Sequence, residues 1–471
     1  MTKAIWWIRR DIRLQDNPAL DAGLQNAAEI IPLFILDPAL IKSPNTSKSR
    51  LFFLYQGLEQ LQKDLSSSGS RLVIRSGNPT RVLSEIQQES GASTIFAEAD
   101  FSPYARRRDN AVNAELPLVL TGGSSFSHPE AVLKTDGTPY TVYTPYMRTW
   151  KSIHDLESIR LIPEPKRIPT PMDIASDPVP LYDIPGAKLT AFPAGETETR
   201  RRLEHFTSSS DAPIFTYAEQ RNRMDLDGTS QLSPYLHFGM LSSRIAIKAA
   251  HEAISRATDD QSRQGAETWL NELIWRDFYI AILYHFPHVL NHSFRSEYKH
   301  IPWQNSQVDY LAWCEGNTGY PIVDAAMQQL IKTGWMHNQA RMITASFLVK
   351  DLLVDWRWGE RWFMQHLVDG DLASNNGGWQ WTAGTGTDAA PYFRIFNPIL
   401  QGKKYDPDGD YIRTWLPQLM DVPEKFIHTP WKMPEKVQAE TGCRIGEHYP
   451  FPIIDHAFAR QRTLDAYKSV R

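Results

Sequence analysis

Two kinds of hydrophobic spacing divide the chain. From Lys3 to about Leu120, short apolar runs rich in β-branched residues (AIWWI, EIIPLFIL, RLVIR, STIFA and PLVL) alternate with longer amphipathic stretches that begin near Pro18, Ser49, Pro79 and Pro103. Continuous apolar runs of this length predict strands buried on both faces, and the stretches between them predict helices. Strand–helix alternation predicts a parallel sheet with helices on both sides. From Gly195 onward the apolar residues settle into three- and four-residue spacing. That half is expected to be helical. Met342, Ile343, Phe347, Leu348, Leu352 and Leu353 predict one buried helix, and Met364, Leu367 and Val368 begin another.

Between Lys151 and Pro193 the sequence turns proline-rich, IPEPKRIPTPMDIASDPVPLYDIPG, which holds neither long helices nor central strands. Its length marks it as a connection between domains. With 471 residues, two or three domains are expected. The fold class is an α/β parallel-sheet, Rossmann-like domain over residues 1–130, a linker over 131–196, and an all-α domain over 197–471. There is no internal repeat and no low-complexity tail.

Composition sharpens this picture in three places. Of 15 tryptophans, 12 lie at or after Trp269, so the helical half is the aromatic one. The formal net charge of −4 excludes a uniformly basic nucleic-acid coat, so any nucleic-acid contact needs a local patch. Cys314 and Cys443 form no CxxC pair; they read as ordinary thiols of a reducing compartment, and no metal is expected. The opening MTKAIWWIRRDIR has too short an apolar run for a signal-peptide core, and no window is long enough to span a membrane. A soluble, cytoplasmic monomer is expected. Neither GxGxxG after the first strand nor GxxxxGK occurs, so the common dinucleotide and P-loop readings lose their main support.

Candidate chemistry concentrates between Gly334 and Gly402. Asn338, Arg341, Asp369, Asp371, Asn375 and Asn376 interrupt apolar stripes at the expected helix ends, among Trp335, Trp356, Trp358, Trp362, Trp379 and Trp381. Singly, each polar residue is explained as a cap or an ion-pair partner. As a set they predict a polar-rimmed aromatic pocket. Upstream, DGTSQLS places Thr229, Ser230 and Ser233 in a turn whose hydroxyls and backbone N–H groups suit a pyrophosphate, although a helix cap explains the same residues. In ETWLNELIWRDFYIAILYHFP, Glu272, Trp275, Arg276 and Tyr279 crowd one end of a predicted helix. An i,i+4 pair of Glu272 with Arg276 is the simpler explanation.

The segments GWMHN, RMITASFLVKDLL, DGDLASNNGGWQW and TGTDAAPYFRIFNP closely resemble the flavin-binding core of the photolyase/cryptochrome family, specifically the class I cyclobutane pyrimidine dimer photolyases. RRDIRLQDNPAL resembles the family's opening, and YAEQRNRMDLDGTSQLSPYLHFGMLS its first flavin segment, so the resemblance covers essentially the whole chain. It implies an enzyme, a light-dependent lyase in which excited, reduced FAD gives an electron to a flipped-out dimer in single- or double-stranded ultraviolet-damaged DNA. The FAD residues it implies are Tyr217, Thr229, Ser230, Gln231, Leu232, Ser233, Arg341, Asp369, Gly370, Asp371 and Asn375. Among these, Asn375 lies near the flavin N5 and Asp369 pairs with Arg341. Glu272 hydrogen-bonds the dimer, Trp275 stacks on it, and Arg276 and Tyr279 lie beside it. Arg221, Asn338, Gln339, Met342, Trp381 and Gln401, with Lys403 and Lys404, contact DNA; many relatives carry arginine where this chain has Gln339. Trp379, Trp356 and Trp303 match the family's electron-transfer chain. As a second pigment, PYARRRD favours 8-hydroxy-5-deazaflavin over methenyltetrahydrofolate, while a solvated basic helix explains the same residues. The resemblance leaves two other readings: a blue-light sensor, disfavoured by Asn375 and the Glu272–Trp275 pair, and a (6-4) photoproduct enzyme, disfavoured by Asn338 and Met342.

Overall fold

The structure is a computed structural model describing residues 2–180 and 192–470; the 181–191 part of the expected linker lies outside the described residues. The chain divides into two compact units. Met1–Ala218, Ser230–Pro287 and Val368–Ala373 form the first; Glu219–Thr229, His288–Leu367 and Ser374–Arg471 form the second.

In the first unit the five apolar runs become β1 (Lys3–Ile8), β2 (Glu29–Leu36), β3 (Val73–Ser76), β4 (Thr94–Ala99) and β5 (Leu118–Gly123), all parallel in the order β3-β2-β1-β4-β5. Three of their crossover helices share one way of starting. Asn17, Asn78 and Ser102 accept hydrogen bonds from Leu20, Arg81 and Ala105 N–H, and each is followed by a proline at the first helical position. Proline is harmless there, because the N–H it lacks has no intrahelical acceptor. Ile5, Trp7, Leu33, Val73, Leu83 and Ile95 fill part of the core around the sheet. Strand order reverses between β1 and β4, which opens a crevice at their carboxyl ends.

This unit also includes helices Ser243–Arg256 and Asp260–His285, which pack on each other, and helix Tyr143–Ile153, which packs along Asp260–His285. Compactness therefore groups the chain differently from a division at 130 and 197. Hydrogen bonding between distant residues is the reason. Arg10 Nε and Arg13 Nη1, just after β1, donate to the carbonyls of His237 (2.8 Å) and Gly239 (3.0 Å). Gly239 adopts φ +64°, and a Cβ there would stand 1.8 Å from the Arg10 carbonyl oxygen. Helix Tyr143–Ile153, within the stretch expected to be linker, buries Tyr143, Tyr146 and Trp150. The irregular proline-rich path begins only after it.

The second unit is helical, and no strand is assigned among its described residues. Trp313, Phe347, Trp356, Phe363 and Trp379 lie in its core. The single helix expected through Leu353 is not continuous. Helix Asn338–Ser346 gives way to a π turn at Phe347–Asp351, and Leu353 adopts φ +53°. Lys350 and Asp351 are 1% and 0% exposed, so each needs a partner. The wider turn accompanies those bonds: Lys350 Nζ to the Ala383 carbonyl (2.9 Å) and Asp351 to His456 Nδ1 (2.6 Å). No helix among the described residues is long and apolar enough to cross a membrane.

Candidate functional site

In the first unit, helix Asp260–His285 carries Glu272, Trp275, Arg276 and Tyr279 on adjacent turns, all half-buried, while Leu273, Ile274, Asp277 and Phe278 between them are buried. The polar and aromatic positions thus share the partly open side. Trp275 stacks face to face on Tyr143, with ring centroids 3.6 Å apart and planes 7° apart. Arg276 donates Nη2 to the Leu236 carbonyl (3.3 Å), and burial lowers its pKa. Its Nη1 is buried without an acceptor among the described residues. An uncompensated buried guanidinium N–H is costly, so this atom fits a carbonyl oxygen brought by a ligand.

A second cluster of the same unit surrounds Asp369, Gly370 and Asp371. Arg10 Nη2 reaches Asp371 at 2.8 Å, and His237 Nδ1 stands 3.8 Å from the same carboxylate. Burial alone would push Asp371 up, but Arg10, with His237 and Arg276, holds it well below the usual carboxylate range. Burial and the neighbouring Arg10 push His237 down to about 4, so its imidazole is neutral at physiological pH. Arg50 Nη1 donates to the Gly370 carbonyl at 3.4 Å. Asp371 also accepts from Ala373 N–H (3.1 Å), anchoring the start of helix Leu372–Ala383. Nearby in sequence, Gln231 takes φ +49°, and Leu232 caps helix Ser233–Phe238 without a side-chain hydrogen bond. Tyr217 is buried edge-on against Phe206, centroids 5.8 Å apart.

In the second unit, Asn375 donates Nδ2 to the Glu360 carbonyl (3.1 Å), which holds the carboxamide by its nitrogen and makes Oδ1 its acceptor atom. Asn376 bonds both the Glu360 carboxyl (3.0 Å) and the Val289 carbonyl (3.0 Å). Burial pushes Glu360 up to about 7 against the pull of Asn376. Trp379 and Trp356 are buried in one core, and Trp303 packs against it half-exposed. Asn338 is exposed, with Arg341 and Met342 half-buried beside it on the same helix. Arg341 Nε bonds the Met336 carbonyl at 2.8 Å. Gln339 is 4% exposed and gives its amide to Gln401 (3.3 Å), so Gln401 is the more accessible of the two. Arg221 is half-buried, Arg394 lies 5.9 Å from the Trp381 ring, and Lys403 and Lys404 are exposed.

Taken unit by unit, the first holds an ionised carboxylate and hydroxyl-bearing turn residues, and the second an amide oxygen, each a group able to bond a polar ligand. Near the carboxyl ends of β1 and β4, the guanidinium groups of Arg9 (4.7 Å) and Arg108 (4.8 Å) both lie close to the Trp7 ring, and Tyr104 bonds Asp37. The expected basic helix is solvated only in part: Arg106 and Arg107 are exposed, Arg106 over the Tyr284 ring (4.0 Å), whereas Arg108 is half-buried and paired with Asp109 (2.9 Å).

Sequence reasoning missed Arg10, Arg50, His237, Glu360 and Tyr143. Arg10 and His237 stand inside quoted motifs, RRDIR and PYLHFG, and that was their only signal. The other three carry no local mark.

Comparison with known proteins shows the family. A family profile described as the FAD binding domain of DNA photolyase matches residues 269–469, and one described as DNA photolyase matches residues 4–170. A deoxyribodipyrimidine photo-lyase of Salmonella typhimurium is 40% identical over 99% of this chain and 98% of its own length. The crystal structure of a class III photolyase from Agrobacterium tumefaciens superposes with TM-score 0.93 at 35% identity, covering 100% of this chain and 98% of that one. A cryptochrome from Synechocystis gives TM-score 0.87 at 30% identity, covering 100% and 99%.

Proposed function

Because this chain belongs to the DNA photolyase family, we propose that it splits cyclobutane pyrimidine dimers in DNA under blue light. When bound and reduced, FAD supplies the photoexcited electron donor that dimer cleavage requires. We assign its binding to Tyr217, Thr229, Ser230, Gln231, Leu232, Ser233, Arg341, Asp369, Gly370, Asp371 and Asn375. Asn375 presents its oriented oxygen, and Asp371 a carboxylate kept ionised by Arg10.

The observation that carries the reading is the open side of helix Asp260–His285. There the buried Nη1 of Arg276 lies on the same helix as the half-exposed Trp275 and Glu272. A flipped-out dimer offers what that side lacks: carbonyl oxygens for Arg276 and a pyrimidine face for Trp275. Glu272 and Tyr279 provide further polar contacts. Asn338, Met342, Trp381, Gln401, Lys403, Lys404 and Arg221 contact the DNA, with Gln339 supporting Gln401 from behind. Trp379, Trp356 and Trp303 relay electrons between the surface and the buried core. An 8-hydroxy-5-deazaflavin in the sheet crevice is the antenna we favour, the cluster of Trp7 with Arg9 and Arg108 being cationic and aromatic in character.

The test is direct. Purified, FAD-loaded and reduced protein removes dimers from thymine-dimer DNA in blue light and leaves them intact in darkness. Protein that holds FAD but leaves dimers intact under light favours the sensor reading, which the similarity to a cryptochrome keeps in view.

A further inference from the structure

Trp275 and Tyr143 stack with ring centroids 3.6 Å apart and planes 7° apart. At that separation the rings lie almost directly over one another, the arrangement aromatic quadrupoles like least; offset or edge-to-face pairs are preferred. The pair is therefore held by its surroundings. Tyr143 Oη donates to the Asn271 carbonyl (2.8 Å), one turn before Trp275. Further along helix Tyr143–Ile153, Trp150 Nε1 donates to Asp277 (3.1 Å), which also accepts from Phe126 N–H (3.3 Å) and Ser127 N–H (3.1 Å). Phe278 adds edge contacts to Tyr143 (5.8 Å) and Trp275 (5.6 Å). Two hydrogen-bonded clamps and an aromatic wedge thus fix Tyr143 against the indole, and the helix that does so lies in the stretch whose sequence reads as connection.

We infer that Tyr143 is a positioning residue: it closes one face of Trp275 and fixes its plane, so that the indole offers its other face to the base of the lesion. This rests on the dimer-repair reading above. A platform already held in place binds a pyrimidine without first freezing an indole rotamer, so ligand contact is not spent on ordering the protein. Plain core packing would require only an apolar group of similar volume at Tyr143. The platform requires a flat ring.

The experiment measures binding in darkness of the full, FAD-loaded protein to an oligonucleotide with one thymine dimer and to its undamaged counterpart. Tyr143→Met loses the flat face and the Oη hydrogen bond; it is expected to weaken dimer binding about tenfold and to lower the thermal midpoint, with binding to undamaged DNA and flavin absorbance as in the parent. Tyr143→Phe restores dimer binding, and in a Trp275→Ala background Tyr143→Met has no further effect. Tyr143→His, with a smaller flat ring, gives an intermediate loss and serves if the Met variant does not fold. Unchanged dimer binding in the Met or His variant, equal loss on both DNAs, or full additivity with Trp275→Ala overturns the inference. Parent protein that does not distinguish the two DNAs overturns the repair reading itself, and this inference with it.

Discussion

Arg10 and Asp371 are 361 positions apart in sequence and 2.8 Å apart in space. The carboxylate, expected from sequence to face a cofactor alone, is held by a guanidinium from the loop after β1 and by a neutral imidazole. Removing one member of a partly buried pair strands the other charge and costs about 1–3 kcal/mol. Arg10→Ala is accordingly expected to lower the thermal midpoint and to raise the Asp371 pKa. It also reduces the flavin retained per chain, read as the ratio of flavin to protein absorbance. Arg10→Lys recovers part of each. Unchanged flavin content in Arg10→Ala would show that Asp371 needs no such support.

Glu360 titrates near 7 in the folded protein, against an ordinary value of 4.5, because burial disfavours its charged form. Below pH 4.5 folded and unfolded chains are both protonated at this site, and it has no effect. Between 4.5 and 7 only the folded state keeps the proton, so stability falls as pH rises, by up to roughly 3 kcal/mol in all. Glu360→Gln stays neutral and still accepts from Asn376. It should lose that slope and be the more stable protein at pH 8, as denaturant midpoints measured across the range would show.

Gly359 faces Trp379: a Cβ there would lie 2.0 Å from the ring's Cη2 and 2.7 Å from Leu348 Cδ2. Neither neighbour has room to yield in a close-packed core. Gly359→Ala is expected to destabilise by about 1–3 kcal/mol. By tilting Trp379 it should also slow light-driven reduction of oxidised protein while sparing dimer repair by protein reduced beforehand. Equal slowing of both would place the damage elsewhere.

Glu272 is half-buried on the open side of its helix, beside Trp275 and Arg276. Glu272→Ala should cut the rate of dimer loss at saturating light about tenfold or more, the loss of one hydrogen bond to the dimer, and leave flavin content near that of the parent. A parallel fall in both would make Glu272 a structural residue.

Locally encoded features were legible in the sequence. Strands β1–β4 were visible because buried parallel strands are continuous apolar runs, whereas β5, expected to be buried as well, leaves Val119 and Leu120 exposed at the sheet edge; three of the crossover helices were visible because Asn-Pro and Ser-Pro state a cap and a first turn within two residues. The motif-bearing candidates, Asn375, Trp275 and Asp371 among them, were legible through resemblance. The extent of the helix after Asn338 was not, because the π turn at Phe347–Asp351 accompanies partners contributed by Ala383 and His456, which no short window contains.

The chain's pattern by itself determined that a parallel sheet precedes a helical half, and it marked the candidate segments, since those depend on periodicity and on neighbours a few residues away. Tertiary structure alone decided that Arg10 stabilises the charge on Asp371, that Glu360 orients Asn375, and that Tyr143 backs Trp275. Such pairings join residues from separate elements; they depend on where the folded backbone brings buried polar and aromatic groups together, and desolvation there forces each to find a partner.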